Sequence, residues 1–250
     1  CLTTLHGFNA LQLLSGEPCR PFDRARNGIS IGEAAGFVLL DRDPAAVNLM
    51  AGGESSDAWH MSSPHPDGLG AQAAMRQALQ AAGLGPQDIG YVNAHGTATL
   101  ANDRAEAAAM RAVFGADAVP VSSTKGITGH TLGAAGITEA IVVIQALEQQ
   151  TLPPSANLAV LEPRLGLDVV MQPRRAELRQ HVKAQGVGLA IVHGYQCVGG
   201  LQLAFDQCGH GVLLVVVKRA GNYGALFGPA VASGGPHQPA GHSRPGRNPS

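Results

Sequence analysis

Aromatic side chains are scarce in this chain. Six Phe, three Tyr and one Trp make up only 4% of its 250 residues. A core without large rings has to be aliphatic and closely spaced, and 33 glycines fit that demand. Charge is scarce too: Asp, Glu, Lys and Arg reach 14%, and the formal net charge is −1. That balance removes the electrostatic case for nucleic acid or an anionic membrane as partner. Four cysteines, Cys1, Cys19, Cys197 and Cys208, include no C-x-x-C pair. They are too few for a disulfide scaffold, and a reducing, cytoplasmic setting is the simpler expectation. The opening residues hold neither Met nor a charged leader, so a fragment without a signal peptide is expected. Val212-Leu-Leu-Val-Val-Val217, the longest apolar cluster near the end, is far too short to cross a bilayer. The hydrophobic share, 45%, excludes disorder throughout, and the length allows one large domain or two small ones.

Apolar spacing predicts a helix over Leu2 to Leu14, stopped by Ser15-Gly16-Glu17-Pro18. Ala34 to Leu40 reads as a buried strand and Val47 to Gly52 as a second. A polar loop from Ser55 leads to a helix over Gly70 to Ala82. Ile89 to Asn93 is a short strand. Asp103 and Glu106 have the spacing of a capping box for a helix that runs to about Phe114. Val119 to Ser122 is another strand. Ile137 to Leu147 has almost no polar face, which predicts a buried helix. Leu167 to Met171, Gly186 to Val192 and Leu201 to Phe205 complete the candidate strands. Strands alternating with helices predict an α/β layered fold with a mixed sheet. From Gly221 the composition turns to Gly, Pro, Ala, Ser and His, and that tail is expected to be disordered.

Two stretches carry the chemistry. Tyr91-Val-Asn-Ala-His-Gly-Thr-Ala-Thr99 places His95 just past a strand end, a favourable position for a site in an α/β sheet. Val121-Ser-Ser-Thr-Lys-Gly-Ile-Thr-Gly-His-Thr-Leu-Gly-Ala-Ala-Gly136 places Lys125 five residues before His130. A helix N-terminus close after His130 disfavours the imidazolium, so this ring is expected to be neutral. Two neutral imidazoles converging on one carbonyl would form an oxyanion hole. Lys125 would hold a carboxylate or orient a histidine through an acidic neighbour, with Glu106 the candidate. The blander reading makes each histidine a backbone-bonded loop residue, Lys125 a solvated surface lysine and Glu106 a cap. A separate cluster, His193, Cys197, Cys208 and His210, offers zinc-ligand chemistry but matches no common ligand spacing; buried thiols are the simpler account.

The two histidine stretches resemble signature motifs of the β-ketoacyl-[acyl carrier protein] synthases. So do Arg20-Pro-Phe-Asp-Arg24, Ile31-Gly-Glu-Ala-Ala-Gly36, Ser55-Ser-Asp57, Asn102-Asp-Arg-Ala-Glu106 and Leu152-Pro-Pro-Ser-Ala-Asn157. The resemblance implies a thiolase-like layered fold, here incomplete and mostly its second half, within a partial domain over residues 1–205. Residues 206–250 match nothing in the family and form a divergent tail, expected to be disordered. It implies fatty-acid biosynthesis by decarboxylative condensation of a malonyl thioester with an acyl group held on a cysteine. His95 and His130 match the two family histidines, Lys125 the family lysine and Glu106 its acidic partner. Thr97 and Thr99 match threonines that hydrogen-bond the phosphopantetheine arm. No cofactor or metal is implied, because the substrates arrive on acyl carrier protein. A homodimer or heterodimer is expected.

The chain also departs from the family. None of Cys1, Cys19 and Cys197 sits in the nucleophile motif, which precedes the matching segment, so an open edge or exposed apolar face is expected. Gly194-Tyr-Gln-Cys-Val-Gly-Gly200 stands where the family has Asn-Ser-Phe-Gly-Phe-Gly-Gly, a loop that lines and gates the acyl site. A shifted reading frame or degenerate gene would give such an end. The competing expectations are a non-catalytic condensing-enzyme-like subunit, a polyketide ketosynthase piece and a metal-binding module.

Overall fold

Ile89-Gly-Tyr-Val-Asn93 holds branched and aromatic residues between 3-10 and loop segments, and it forms the central strand of the sheet. The computed structural model describes residues 2–43, 47–60, 62–116 and 119–176, together with the backbone of residues 188–194 and 212–219. In order, the elements are α1 (Leu2–Ala10), β1 (Val47–Gly53), α2 (Leu69–Ala82), β2 (Ile89–Asn93) and α3 (Leu100–Phe114). Next come β3 (Pro120–Ser122), one turn of helix α4 (Lys125–Thr128), α5 (Ala135–Gln149) and β4 (Thr151–Leu152). The chain continues through β5 (Asp168–Val169), β6 (Arg174–Arg175), β7 (Gly188–Gly194) and β8 (Val212–Arg219). The main sheet has the order β1-β8-β7-β2-β3-β5. Its β7-β2-β3-β5 core is parallel, while β8 runs antiparallel to both β7 and β1. The mixed sheet expected from the sequence is therefore present.

Each face of the sheet has its own core. Ile89, Val92 and Val121 pack with Met75, Ala78 and Leu79 of α2 and with Ala107, Met110 and Val113 of α3. On the opposite face Tyr91 packs with Val143 and Leu147 of α5 and with Leu152 and Val170. The Tyr91 hydroxyl meets Ser122 Oγ at 2.6 Å, and burial pushes the phenol well above its ordinary range. Helix α2 ends as its sequence demands. Gly83 turns left-handed at φ 66°, and its N–H and that of Leu84 bond back to Gln80 and Leu79.

Several elements differ from the sequence expectation. Ala34 to Leu40 is not a strand; Phe37 and Leu39 are 94% and 90% exposed. The run is apolar enough for a strand, but no strand pairs with it among the described residues. The exposed apolar face expected above lies here. Helix α5 is buried along one face only: Glu139, Val143, Ala146 and Leu147 point inward while Ile141 is exposed. Helix α3 starts at Leu100, capped by Thr99, whose side chain accepts the Asn102 N–H. Asp103 is thus inside the helix and does not cap it. Val212–Arg219, inside the stretch read as disordered, forms β8; a continuous Val/Leu run suits a strand paired on both sides. The Leu201 to Phe205 strand, the tail from Gly221, and Cys197, Cys208 and His210 of the zinc candidate lie outside the described residues.

The two kinds of apolar residue should respond differently to truncation. Met110→Ala, in the core with no exposed surface, should cost about 2–5 kcal/mol. Leu39→Ser should stay within about 0.5 kcal/mol. Urea unfolding measures both; equal losses would mean that the Phe37–Leu40 run is covered in solution.

Candidate active site

Strands β2 and β3 are parallel neighbours with Asn93 opposite Ser122. Both end at the same level, so the loop after each emerges side by side at the carboxyl edge of the sheet. The Ala94 N–H extends the ladder to the Ser122 carbonyl at 2.8 Å, and Ser123 Oγ donates to the Gly96 carbonyl at 2.8 Å. Gly96 has φ 39°, and a Cβ there would come within 2.4 Å of the Ser123 Cβ. Only glycine lets the two loops approach this closely.

This pairing brings the histidines together. The His95 and His130 rings lie edge to face, centroids 5.2 Å apart and planes at 85°. His130 is fixed from the other side by residues 30–32. Its N–H donates to the Ser30 carbonyl at 2.7 Å, and its own carbonyl accepts the Gly32 N–H at 3.0 Å. A side chain at Gly32 would strike the Thr128 carbonyl oxygen, so glycine is required there. The His130 Nδ1 accepts the Leu132 N–H at 3.1 Å. An Nδ1 that accepts carries no proton, which places the neutral ring's proton on Nε2.

Lys125 is buried, against the expectation for a lone surface lysine, and its Nζ pairs with Glu139 Oε1. Both side chains are at most 3% exposed. Glu139 is the carboxylate the sequence reading missed. It is the one charged residue between Ala135 and Leu147, and a lone carboxylate on an apolar helix signals a buried cation opposite it.

The direct ion pair of Lys125 is thus with Glu139, while Glu106 feels the lysine's charge without an ion-pair contact among the described residues. Its Oε1 accepts the His95 N–H at 2.7 Å and its Oε2 the Gly96 N–H at 2.8 Å. It holds the backbone of the histidine loop. Burial, opposed by the Gly96 N–H and reinforced by the Asp103 carboxylate, pushes Glu106 up from 4.5 to about 7. Thr97 and Thr99 follow directly, their hydroxyl oxygens 3.0 Å apart. The six residues singled out in the sequence thus fall in two adjoining loops and the first turns of α3 and α4. A cavity of about 550 Å³ lies nearby, lined by Cys19, Ile29, Ile31, Lys125 and Ile127 among others. Neither histidine lines it, so the site is better placed at the paired rings. Cys19 is buried, its Sγ donating to the Lys125 carbonyl at 3.0 Å.

Residues 46–159 match the family described as beta-ketoacyl synthase, C-terminal domain. Among curated proteins, 3-oxoacyl-[acyl-carrier-protein] synthase 2 of Vibrio cholerae is 39% identical over 75% of this chain and 50% of its own length. The protein of the same name from Vibrio harveyi is 41% identical over 68% of this chain and 45% of its own. A solved ketosynthase in complex with its chain length factor, from Xenorhabdus doucetiae, superposes with a TM-score of 0.75 at 36% identity. That match covers 87% of this chain and 50% of the other. This chain belongs to the β-ketoacyl synthase family as a carboxy-terminal part with the thiolase-like layered fold. It spans about half the length of the curated relatives it matches.

Two measurements check the electrostatics. Glu139→Gln leaves Lys125 buried without a counter-charge and should cost about 3–5 kcal/mol in urea unfolding. Lys125→Met with Glu139→Leu should recover most of that loss. For Glu106, the folded chain holds the proton more tightly than the unfolded chain between 4.5 and about 7. Its contribution is therefore fully present below pH 4.5 and lost as pH rises through about 7. Carbon-detected NMR should place its titration near the upper value, and Glu106→Gln should remove that part of the stability-against-pH curve. Titration at the ordinary carboxylate value would refute the assignment.

Proposed function

We propose that His95 and His130 form the oxyanion site of a decarboxylating condensing enzyme that acts on malonyl thioesters. The observation that carries this reading is the convergence of the two rings at 5.2 Å, with a buried Lys125–Glu139 pair in the same loop region. A malonyl thioester oxygen placed between the rings would accept the His130 Nε2–H and an N–H of His95. The bond between the carboxylate carbon and the α-carbon breaks, carbon dioxide leaves, and the electron pair moves onto the thioester oxygen as an enolate. The rings stabilise that negative charge as it develops, which is where donors are most effective. In the full condensation the enolate carbon attacks an acyl thioester held on a cysteine and releases the thiolate. Cys19 is unsuited to that role, being buried and bonded to backbone.

The substrates would be carried on the phosphopantetheine of an acyl carrier protein, with Thr97 and Thr99 contacting the arm and no further cofactor. A second subunit, identical or related, fits the same reading. Fatty-acid and polyketide pathways both remain within it. A second reading is a non-catalytic subunit. It draws support from Cys19, the one cysteine among the described residues, which is buried and not placed as a nucleophile.

The test is carbon dioxide release from malonyl-pantetheine by the full chain. His95→Ala and His130→Ala should each lower the rate by about 10²–10³. Release that is equal in the wild type and in both variants would overturn the proposal. An acyl-donor label on a cysteine distinguishes the two readings, because only a condensing chain is acylated.

A further inference from the structure

Thr97 and Thr99 flank a residue in an unusual state. Ala98 has φ 66° and is fully buried. A non-glycine residue in this left-handed region is disfavoured by about tenfold in population. Its consequence here is useful. In an extended chain two residues on, side chains share one face, but a short loop ending at a helix cap rarely keeps that register. The left-handed residue between them sets the turn, and the two hydroxyl oxygens come to 3.0 Å. Thr99 Oγ1 accepts the Asn102 N–H from the first turn of α3. The pair is thereby left with a hydroxyl proton to donate outward.

Ala98 is held from both sides of its peptide unit. Its carbonyl accepts the Gly28 N–H at 3.1 Å, and its N–H donates to Asp103 Oδ1 at 3.2 Å. Asp103 Oδ1 also takes Asn102 Nδ2 at 3.2 Å, and Oδ2 takes the Phe22 N–H at 2.9 Å. Behind this carboxylate lies Arg26, its Nε 3.2 Å from Oδ2, with both side chains wholly buried. Arg26 Nη1 donates to the Asp23 carbonyl at 2.8 Å and lies 3.9 Å from Glu162. Nε, in ion-pair contact only, and Nη2 have no hydrogen-bond partner among the described residues. A buried guanidinium with an orphaned N–H is a poor device for stability alone. What it does supply is a positive charge beside Asp103: burial pushes that carboxyl up, and the Phe22 N–H and the Arg26 guanidinium pull it back towards the charged form that accepts best.

We propose that Arg26 is a positioning residue for the Thr97–Thr99 hydroxyl pair, acting through Asp103 to hold Ala98 in its left-handed conformation. The ligand that benefits is the amide-bearing thiol arm of a pantetheine thioester. This part rests on the reading of the two threonines given above; the Arg26–Asp103–Ala98 relay does not.

The test uses the full chain and pantetheine itself. The wild type should bind pantetheine with shifts at the Thr97 and Thr99 methyl signals. Arg26→Met should weaken that binding about tenfold and move the Ala98 amide proton signal, while Arg26→Lys, which restores a charge, recovers part of both. The decisive variant adds Ala98→Gly to Arg26→Met. Glycine adopts the left-handed state unaided, so the double variant should regain most of the affinity. If Arg26 had only a general structural role, glycine would not rescue it, and that outcome overturns the proposal. Should Arg26→Met fail to fold by circular dichroism, Asp103→Asn with and without Ala98→Gly gives the same comparison. A wild type that binds no pantetheine, but whose Ala98 amide moves in Arg26→Met and returns in Arg26→Lys, would refute the thiol-arm reading and uphold the relay. An unmoved Ala98 amide in Arg26→Met would refute the relay.

Discussion

The parallel pairing of β2 with β3 is the constraint on which the site depends. With Asn93 opposite Ser122, both strands stop at one level, and residues one to three positions further on emerge into the same space. His95 comes from the first strand, and Ser123 and Lys125 come from the second. A one-residue slip would turn Tyr91 and Asn93 to the other face and part the loops. The register is held by the Tyr91–Ser122 hydroxyl contact, by the buried apolar faces on each side and by the Ser123 hydrogen bond to Gly96. The histidine geometry is therefore inherited from the sheet and not made by the loops alone.

A chain with so few charged residues places a notable group of them inside. Lys125 with Glu139, Arg26 with Asp103, and Glu106 are all buried. None is a convincing source of stability, since desolvation offsets most of what each contact contributes. Their common property is direction. Glu106 fixes two main-chain N–H groups of the His95 loop, Asp103 fixes a third there and the Phe22 N–H, and Glu139 fixes the buried Lys125. Hydrogen bonds in low dielectric are strong and strongly oriented, so a few buried carboxylates can hold irregular backbone more firmly than apolar packing would.

Much of this was legible in the sequence, for definite reasons. Polar residues in Gly- and Thr-rich stretches directly after short apolar strands mark His95, Lys125 and His130. The alternation of elements gives the mixed α/β sheet. Glu139 was harder to find, because periodicity averages a helix and hides its single exception. Glu106 was readable as a candidate carboxylate of the site or as a cap, but not as to its partner. Spacing brings it near the His95 loop and Lys125 alike, and only the backbone path decides between an N–H and an ammonium. Phe37-Val-Leu-Leu40 has a strand's composition and fails to form one, since a strand needs a neighbour that local sequence does not report.

Helix α3 has the widest reach of these elements. Asp103 and Glu106 lie three residues apart, so they project from one face of its first two turns toward residues 94–99. Further along, Ala107, Met110 and Val113 anchor the same helix in the core beneath the sheet. The helix is thus a rigid strut between the packed interior and the histidine loop. A displacement of its core end by even a fraction of an ångström would be transmitted to three main-chain hydrogen bonds of that loop, because close-packed interiors pass strain along and do not absorb it. Core volume around Met110 should therefore bear on imidazole placement through this helix.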